Sequence, residues 1–296
     1  MDNLQNPLVT CVIPSYKRSD MINRAIDSVL AQTYQNIEIL IVDDNEKGDQ
    51  YSNRLKQVVE SYGNPNVKLL TQPRHTNGAA ARNYGIKHAQ GEYIAFLDDD
   101  DEWLPTKIEK QIRYLQNNPE FDAVSTLTST YLNGNLIYTQ KQYDTDNLQF
   151  KVLLRKVGIA TPTFLATKSS LVKIGAFDEK LMRHQDLQLF VAYLEDYRIG
   201  LVPEVLIKIH ADSEINRPSV SKLIQIKKDY FKSIEKHLLK YTSSERRRII
   251  CNHNFEVAYI AFKKHKYATG LYFLLKSGVS IDAVRDVMER MKNRND

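Results

Sequence analysis

Four short, mostly apolar runs, separated by stretches of helix length, constrain the fold of this chain most strongly. The runs are LVTCVI (8–13), IEILIV (37–42), VKLL (67–70) and YIAFL (93–97). The connection after the first run carries apolar residues at helical spacing, namely Ile22, Ala25, Ile26, Val29 and Leu30. Strands of this kind, linked by helices, form a parallel sheet that helices cover on both faces. We therefore predict an α/β fold with a Rossmann-like, mostly parallel sheet.

The pattern changes in the second half of the chain. Residues 121–139, with Asn133-Gly134 between two apolar runs, predict a β-hairpin. Helices are expected at about 145–156 and at 186–196. Strands are expected at 159–167 and at 200–209, where the sequence reads GLVPEVLIKI. From residue 218 onward only amphipathic helices are indicated. The sequence thus predicts a mixed α/β part followed by an all-helical extension.

Composition and charge narrow the classes of protein. The 296 residues are 42% hydrophobic and 26% charged, which excludes collagen-like and wholly disordered chains. Cys11 and Cys251 lie too far apart in sequence for a metal motif, so we expect a reducing compartment. The first ten residues lack a signal-peptide pattern, and no run approaches the roughly 18 to 20 apolar residues of a membrane span. We therefore expect a cytoplasmic protein.

Polar residues follow three of the predicted strands, at the edge where open parallel sheets bind ligands. They are the segment 14–18 (PSYKR), the pair Asp43-Asp44 and the run Asp98-Asp99-Asp100-Asp101. Carboxylates this close raise one another's pKa unless a cation or N–H donors neutralise them. An extended strand end would point Asp98 and Asp100 the same way, which suits a divalent ion shared with phosphate oxygens. The competing interpretation is a solvated turn that caps a helix near Leu104.

The segments VTCVIPSYKRSDMINRAIDSVLAQTYQNIEILIVDD and NGAAARNYGIKHAQGEYIAFLDDDDEW resemble the family 2 inverting glycosyltransferases. The resemblance extends from about residue 8 to residue 210. It implies the A-type nucleotide-sugar transferase (GT-A) fold and an NDP-sugar donor, most of all a UDP-sugar. It also implies Mn²⁺ or Mg²⁺ as cofactor and inversion at the anomeric carbon. It also implies a catalytic domain over 1–217, with a nucleotide-binding half (1–117) and an acceptor-binding half (118–217).

The resemblance assigns the nucleotide end of the donor site to five positions. Pro14 and Tyr16 match the loop that contacts the base, with the Tyr16 ring facing it. Asp44, together with Asp43, matches the carboxylate that accepts the N–H of uracil. Arg82, in NGAAARN, matches a cation on the nucleotide side of the pocket. The alternatives for these residues are loop packing, helix capping and a solvated arginine.

The Asp run corresponds to the family's DxD element. The resemblance places Asp99 toward the ribose and Asp100 on the metal, with Asp98 in support. A histidine after the last sheet strand often reaches the metal or the diphosphate in this family. His210 stands at that place, with Arg217 beyond it, although a lone histidine is as often structural.

An inverting transfer also requires a general base on the sugar face opposite the diphosphate. The family takes it from a Glu-Asp pair at the start of a late helix. The matching stretch here is RHQDL (183–187), so Asp186 is the predicted base and Gln185 replaces the usual glutamate. The alternative is that Asp186 only caps the helix.

The basic C-terminal part lies outside the shared motifs. Residues 221–296 carry 17 basic and 8 acidic side chains, a net charge of +9, whereas residues 1–220 carry a net charge of −4. Packing on the catalytic domain, a homo-oligomer contact and peripheral contact with the inner face of the cell membrane all remain open for 218–296. Nucleic-acid binding has no motif to support it.

The function predicted from these residues is sugar transfer to a glycan or lipid-linked acceptor, in bacterial surface polysaccharide or glycoconjugate synthesis. A non-catalytic nucleotide-sugar or glycan-binding module on the same fold is the alternative, and the presence of Asp186 argues against it. A dinucleotide-dependent oxidoreductase is disfavoured, because PSYKRS stands where a G-x-G-x-x-G motif would follow the first strand.

Overall fold

The computed structural model describes residues 6–19, 21–211 and 218–277. Strands and helices alternate over the first hundred residues, as the apolar runs predict. The elements are β1 (Val9–Ser15), α1 (Ile22–Leu30), β2 (Ile37–Asp43), α2 (Gln50–Ser61), β3 (Val67–Thr71), α3 (Gly78–His88) and β4 (Tyr93–Phe96). All four runs are confirmed as strands and the three connections as helices.

The remaining elements form a mixed region and then helices only. The mixed region contains β5 (Glu102–Trp103), α4 (Lys107–Asn117), β6 (Ala123–Leu132), β7 (Asn135–Thr139), α5 (Leu148–Leu153), β8 (Leu165–Thr167), α6 (Lys168–Lys173), α7 (Gln185–Asp196) and β9 (Ile199–Ala211). The helices that follow are α8 (Val220–Ser233), α9 (Glu235–Leu238), α10 (Ser243–Lys263) and α11 (Tyr267–Lys276). The predicted hairpin is confirmed, and Asn133 and Gly134 both take the positive φ angles of its turn.

Two predicted elements are shorter than expected. The segment 159–167 was expected to be a strand, but Thr161–Thr163 form a 3₁₀ turn and only β8 is extended. Pro162 lies in that turn and has no N–H to donate to a neighbouring strand, which explains the interruption. The helix expected at 145–156 is only α5, because Asn147 has a left-handed backbone with a φ of 49°.

One sheet runs through the molecule in the order β3-β2-β1-β4-β8-β6-β9-β5, with β7 paired to β6. The first four strands in this order are mutually parallel, and β8 pairs antiparallel with both β4 and β6. Strand β9 returns parallel to β6 and pairs antiparallel with β5. This is the α/β, mostly parallel sheet flanked by helices that the sequence predicts, with a helical C-terminal region.

Side chains of the central strands alternate between two buried cores. In β1, Cys11 and Ile13 face the core that contains α1, α2 and α4, while Val12 faces the core that contains α3, α5 and α7. Such continuous burial on both faces is what the apolar runs require. Tyr230 and Ile249 of the C-terminal helices belong to the second of these cores, so that region packs on the sheet domain. The predicted boundary at 217 lies outside the described residues.

Lys107, at the start of α4, is a fully buried cation in the first core. Its Nζ donates to Gln111 Oε1 at 2.7 Å and lies 4.2 Å from the centre of the Trp103 ring. Burial disfavours the charged form and lowers the pKa of Lys107 to about 7 from its ordinary 10.5. Between these values the unfolded chain binds the extra proton, so folding stability rises with pH.

We therefore expect the free energy of unfolding to increase above pH 7 by roughly 1.4 kcal/mol per pH unit, up to the pKa of an exposed lysine. Urea unfolding at several pH values measures this slope. Lys107→Met should abolish it, because methionine has no proton to release. Lys56→Met is the control, since Lys56 is exposed on α2. An unchanged slope in Lys107→Met would show that another group is responsible.

Candidate active site

The carboxyl ends of β1, β2 and β4 meet at one edge of the sheet. The Asp44 N–H donates to Ser15 O at 3.0 Å, and the Leu97 N–H donates to Val12 O at 3.1 Å. These bonds continue the ladder just beyond the strands and hold the three following loops side by side. The three polar segments singled out in the sequence therefore line one edge of the sheet.

Tyr16, His75 and Asp44 form one unit at this edge. The half-exposed Tyr16 ring stacks on the His75 ring, with centroids 4.0 Å apart and planes 10° apart. His75 Nδ1 lies 3.1 Å from Asp44 Oδ2, and Asp44 Oδ1 accepts from Gln72 Nε2 at 2.7 Å and from the Thr76 N–H at 2.9 Å. Burial raises the pKa of Asp44, and the Thr76 and His75 donors oppose that rise. The result is an aromatic platform beside a buried, oriented carboxyl group.

Asp43 has a different role from its neighbour. Its side chain is fully buried, Oδ1 accepts from the backbone and side chain of Asn45 at 3.0 and 2.8 Å, and Oδ2 accepts from the Ser52 hydroxyl at 2.6 Å. These bonds tie the end of β2 to the first turn of α2. Asp43 thus supports the loop that carries Asp44, and Pro14 lies in the last part of β1, opposite Val42 of β2.

The four-Asp run is a turn, which corrects the expectation of an extended strand end. Strand β4 stops at Phe96, and the Asp101 N–H donates to Asp98 O at 3.1 Å, closing a turn over Asp98–Asp101. The chain then enters β5. The capping alternative is also wrong, because Thr106 is the residue before α4 and no side chain caps that helix. Within the turn, Asp98 pairs with Arg82, Asp100 pairs with Arg18, and Asp101 accepts from the His210 N–H.

Arginines hold two of these carboxylates, and burial affects the other two. Arg18 pairs with Asp100 and lies 3.7 Å from Asp99. Burial and the neighbouring Asp100 charge raise the pKa of Asp99 to about 7. Burial, Asp98 and Asp100 raise the pKa of Asp101 to about 8. The expected crowding of negative charge is present, and a cation bound there would relieve it.

Arg82 connects the Asp run to the start of α7. Its Nη2 lies 2.5 Å from Asp98 Oδ1, and its guanidinium lies 5.6 Å from the centre of the Phe177 ring. A Cβ placed on Gly78 would lie 3.0 Å from Arg82 Nη1 and 3.6 Å from Gln185 Oε1, so a glycine leaves room for the guanidinium here. The solvated alternative for Arg82 is therefore wrong, because the side chain is in an ion pair and only 12% of it is exposed.

The start of α7 is brought to this place by the segment before it. Asn83 Nδ2 donates to Phe177 O at 2.9 Å, and Asn77 Nδ2 donates to Glu179 O at 2.8 Å, which fastens that segment to α3. His184 precedes the helix with a φ of 60°, and Asp186 lies in its first turn. Asp186 Oδ1 accepts from the Leu187 N–H at 2.8 Å.

Burial and four charged or polar neighbours influence the pKa of Asp186. Burial raises the pKa of Asp186, the cations Arg155 and Arg82 lower it, and the Asp98 charge raises it. The contacts agree with this, because Gln185, the residue before Asp186, and Arg82 both lie beside Gly78, and Arg82 pairs with Asp98. The structure brings the predicted base and the predicted donor residues together.

His210 lies at the far side of the Asp turn. Its N–H donates to Asp101 Oδ1 at 2.9 Å, its Nε2 lies 3.3 Å from Glu102 Oε1, and its ring stacks on Tyr131 with centroids 5.9 Å apart. Burial opposes ionisation of Glu102, but Lys208 and His210 hold its pKa below the usual range. His210 therefore braces the turn through Asp101. Arg217 lies outside the described residues.

The C-terminal helix α8 contacts the residue that precedes α7. Tyr230 of α8 is fully buried, packs edge-on against the His184 ring at 5.5 Å, and has a raised pKa because of burial, with the nearby Asp186 charge adding to the rise. Burial and the cations Lys227 and Arg155 lower the pKa of His184 to about 3, so this imidazole is neutral. Within the described residues, the Tyr230 hydroxyl and His184 Nδ1 are buried without a hydrogen-bond partner.

A buried ion network anchors these groups. Glu256 Oε2 of α10 lies 2.9 Å from Lys227 Nζ and 3.7 Å from Arg155 Nε. Lys227 Nζ also lies 3.0 Å from His253 Nδ1, and His253 Nε2 lies 3.0 Å from Leu153 O. Since Nδ1 accepts from an ammonium, Nε2 carries the proton, which agrees with the lowered pKa of this buried histidine. The network joins α8, α10 and the end of α5 behind Asp186.

The acidic turn fits one kind of metal site. Over the described ranges no group of three or more His, Cys, Asp or Glu side chains is arranged as a ready-made ligand set. Mg²⁺ and similar hard cations often use only one or two carboxylates and complete their shell with phosphate oxygens and water. The carboxylates of Asp98 and Asp100, held by arginines at a crowded anionic turn, match that donor set.

Several residues of this site were not predicted from the sequence. They are Arg18, which holds Asp100, His75, which bridges Tyr16 and Asp44, Arg155, whose charge favours the ionised form of Asp186, and Tyr230, whose ring packs on His184. Arg18 follows the predicted base loop directly, and that position was an available signal. Arg155 and Tyr230 reach the site only through tertiary packing, and no local pattern indicates them.

The sequence profile described as Glycosyl transferase family 2 matches residues 10–178. An uncharacterized glycosyltransferase of Rickettsia typhi is 33% identical over 214 residues, which cover 70% of this chain and 64% of that relative. The Escherichia coli UDP-Glc:alpha-D-GlcNAc-diphosphoundecaprenol beta-1,3-glucosyltransferase WfgD is 32% identical over 198 residues, which cover 66% of this chain and 73% of WfgD.

Solved structures share the fold at low sequence identity. S. aureus TarS 1-349 superposes with a TM-score of 0.65 and 17% identity, covering 97% of this chain and 88% of that one. The mannosyltransferase PcManGT from Pyrobaculum calidifontis, in complex with GDP-Man and Mn2+, superposes with a TM-score of 0.59 and 15% identity, covering 98% and 84%. Together with the matching profile, these findings place the chain in glycosyl transferase family 2, with a GT-A fold and a helical C-terminal region.

Proposed function

We propose that this protein is an inverting glycosyltransferase that moves a sugar from an NDP-sugar, most of all a UDP-sugar, to an acceptor hydroxyl. The observation that carries this proposal is the position of Arg82, which pairs with Asp98 of the acidic turn and lies beside Gln185 at the start of α7. Asp186, a carboxylate outside the acidic turn, follows Gln185 in the first turn of that helix. This arrangement suits a general base on one side of a sugar and a diphosphate on the other.

The donor nucleotide would bind along the carboxyl ends of β1, β2 and β4. Tyr16 supplies an aromatic face for the base, Asp44 accepts an N–H of the base, and Asp99 lies toward the ribose. The stack of Tyr16 on His75 orients the phenol ring, and the four polar partners of Asp44 orient its carboxyl group. Arg18, beside Asp100, offers a cation to the diphosphate.

A divalent ion, Mn²⁺ or Mg²⁺, would be held by Asp100 with Asp98 in support, and His210 is the further candidate ligand. The Mn2+ complex of PcManGT, a protein of the same fold, supports a divalent ion but not the choice of ligands. When bound, the ion offsets negative charge on the departing diphosphate. The chain's own part is to present the Asp turn, which Arg18, Arg82 and the His210 N–H hold in place.

The transfer step assigns the proton to Asp186. As the acceptor oxygen forms its bond to the anomeric carbon, its hydrogen passes to the Asp186 carboxylate, and the bond from that carbon to the diphosphate oxygen breaks. Burial makes Asp186 more basic than an exposed aspartate, while Arg155 and Arg82 favour its ionised form. Attack from the face opposite the leaving diphosphate inverts the anomeric configuration.

The acceptor would be a glycan or a lipid-linked sugar in bacterial surface polysaccharide or glycoconjugate synthesis. Two relatives support this class of acceptor. WfgD and WfaP are both named as glucosyltransferases that act on a diphosphoundecaprenol-linked GlcNAc. Action on such acceptors would place the protein at the cytoplasmic face of the membrane. No observation favours a nucleic-acid partner.

A panel of NDP-sugars tests the proposal. With Mn²⁺ or Mg²⁺ present, thermal shift should reveal stabilisation by UDP and by one UDP-sugar, and chromatography should reveal slow donor hydrolysis or transfer. Binding without any turnover on lipid-linked and glycan acceptors would favour the non-catalytic module. An absence of binding by every NDP-sugar would contradict the proposal.

Arg155 is expected to position and ionise Asp186 without touching the substrate. Arg155→Met removes the cation that most favours the Asp186 carboxylate, so the acid limb of the kcat profile should move to higher pH while the KM for donor stays constant. Activity should fall more at about pH 6 than at about pH 8. Arg155→Lys should restore most of the activity, and Arg113→Met, on the exposed face of α4, is the control. A uniform loss at every pH would indicate a purely structural role.

A further inference from the structure

The last described helix is apolar yet almost unburied. Among the ten residues of α11, only Gly270 is buried. Leu271, Tyr272 and Leu275 are 53%, 56% and 68% exposed. We define the α10–α11 apolar surface as the exposed apolar side chains of this helical pair, namely Tyr259, Phe262, Tyr267, Leu271, Tyr272 and Leu275. Monomeric proteins seldom leave such a group uncovered, so this surface marks an interaction site.

The two helices are held closely together. A Cβ on Gly270 would lie 2.8 Å from the Phe262 ring, so the glycine lets α11 approach α10 directly. The Cys251 thiol donates to Ser277 O, and the Ser277 N–H donates to Phe273 O at 2.9 Å, which anchors the end of α11. The exposed side chains therefore stand on a fixed support.

The charges around this surface have one sign. Residues 257–277 contain four lysines, at positions 263, 264, 266 and 276, and no Asp or Glu. Lys276 Nζ lies 5.7 Å from the centre of the Tyr272 ring, and Lys264 Nζ donates to Pro218 O at 3.0 Å. Lysines at the border of an aromatic and aliphatic face are typical of helices that lie in a lipid interface.

The charge of each candidate partner decides which one fits the α10–α11 apolar surface. A second copy of the chain would bring four more lysines against these four. Residues 278–296 carry four basic and four acidic side chains and offer no excess of negative charge. An anionic lipid surface matches both the apolar side chains and the lysines. No helix within 6–19, 21–211 and 218–277 combines the length and apolar character needed to cross a bilayer.

We propose that the α10–α11 apolar surface docks on an anionic lipid bilayer. Its aromatic and leucine side chains enter the headgroup region, and Lys263, Lys266 and Lys276 face the lipid phosphates. Docking would hold the enzyme at the membrane through side chains that are not among the proposed donor, metal or base residues. It does not depend on the identity of the donor.

Vesicle flotation of the full chain tests this docking. The protein should float with phosphatidylcholine vesicles that contain about one third phosphatidylglycerol, remain behind with pure phosphatidylcholine, and be released by salt. Replacing all four lysines by glutamine should weaken binding at least about 100-fold. Leu271→Gln with Leu275→Gln should weaken it at least about tenfold.

The matched control is Leu136→Gln with Ile137→Gln on the β6–β7 hairpin, where the two side chains are 55% and 53% exposed. This pair should bind vesicles like the unchanged chain, and all variants should keep its melting temperature. Equal binding to neutral and anionic vesicles, or no binding to either, would overturn the proposal. So would an equal loss of vesicle binding in the Leu271/Leu275 and Leu136/Ile137 double variants. So would a dimer, seen by light scattering, that the Leu271 and Leu275 changes dissociate while vesicle binding stays constant.

Discussion

Asp186→Asn should lower the rate of sugar transfer by roughly 10²- to 10⁴-fold, the range for loss of a general base. The amide has nearly the same shape and keeps an oxygen that can accept from the Leu187 N–H, so α7 should begin as before. It cannot take a proton from the acceptor hydroxyl. The loss should therefore appear in kcat, measured with a saturating NDP-sugar and acceptor.

Donor binding separates loss of the base from loss of the site. UDP affinity with Mn²⁺, measured by calorimetry, should stay within about twofold in Asp186→Asn, because the base acts on the acceptor side. Asp196→Asn is the matched control, since Asp196 is exposed at the other end of α7. Normal transfer by Asp186→Asn would show that another group is the base, and loss of UDP binding would place Asp186 in the donor pocket.

The fold and the edge of the sheet were predictable, because burial on both faces leaves a strong local pattern. Runs such as LVTCVI must lie between two layers of helices, and the carboxyl ends of parallel strands must meet. Tyr16, Asp44 and Asp98 are found at that edge for this reason. The extended strand end preferred for Asp98–Asp101 was wrong, because strand alternation applies only while the chain stays extended, and the turn was only the competing interpretation. The short pairing of β5 with β9, which bends the chain, depends on a strand a hundred residues away.

Residues that act through tertiary contacts were not predictable from local patterns. Arg155 takes a positive φ of 61° after a short helix. Its effect on the pKa of Asp186 depends on where α7 begins, which is fixed by the bonds of Phe177 and Glu179 to Asn83 and Asn77. Gln185 was seen only as a departure from the family pattern. It lies beside Arg82, where a glutamate would compete with Asp98 for the guanidinium. The neutral side chain leaves that cation paired with the acidic turn.

Asp100→Asn should remove the gain in UDP affinity that Mn²⁺ provides, a loss on the order of 100-fold. An amide oxygen is a weaker ligand for a hard cation than a carboxylate, and the diphosphate would lose the charge that the ion brings. Calorimetry of UDP with and without Mn²⁺ measures both affinities. The affinity without metal should change little, because the proposed base contacts of Tyr16 and Asp44 do not involve Asp100.

The melting temperature of Asp100→Asn without ligand distinguishes a loss of metal binding from a loss of folding stability. The Asp100 charge raises the pKa of both Asp99 and Asp101, so removing that charge relieves repulsion inside the turn, while Arg18 loses its contact with a charged Asp100 and keeps the one with Asp99. These two effects oppose each other, and the melting temperature without ligand should fall by no more than a few degrees. Glu46→Gln, exposed in the loop after β2, is the control for lost negative charge at the same edge and should bind UDP with Mn²⁺ normally. If Asp100→Asn kept the full effect of Mn²⁺, the ion would have to be held elsewhere, and the acidic turn would owe its persistence to its arginines alone.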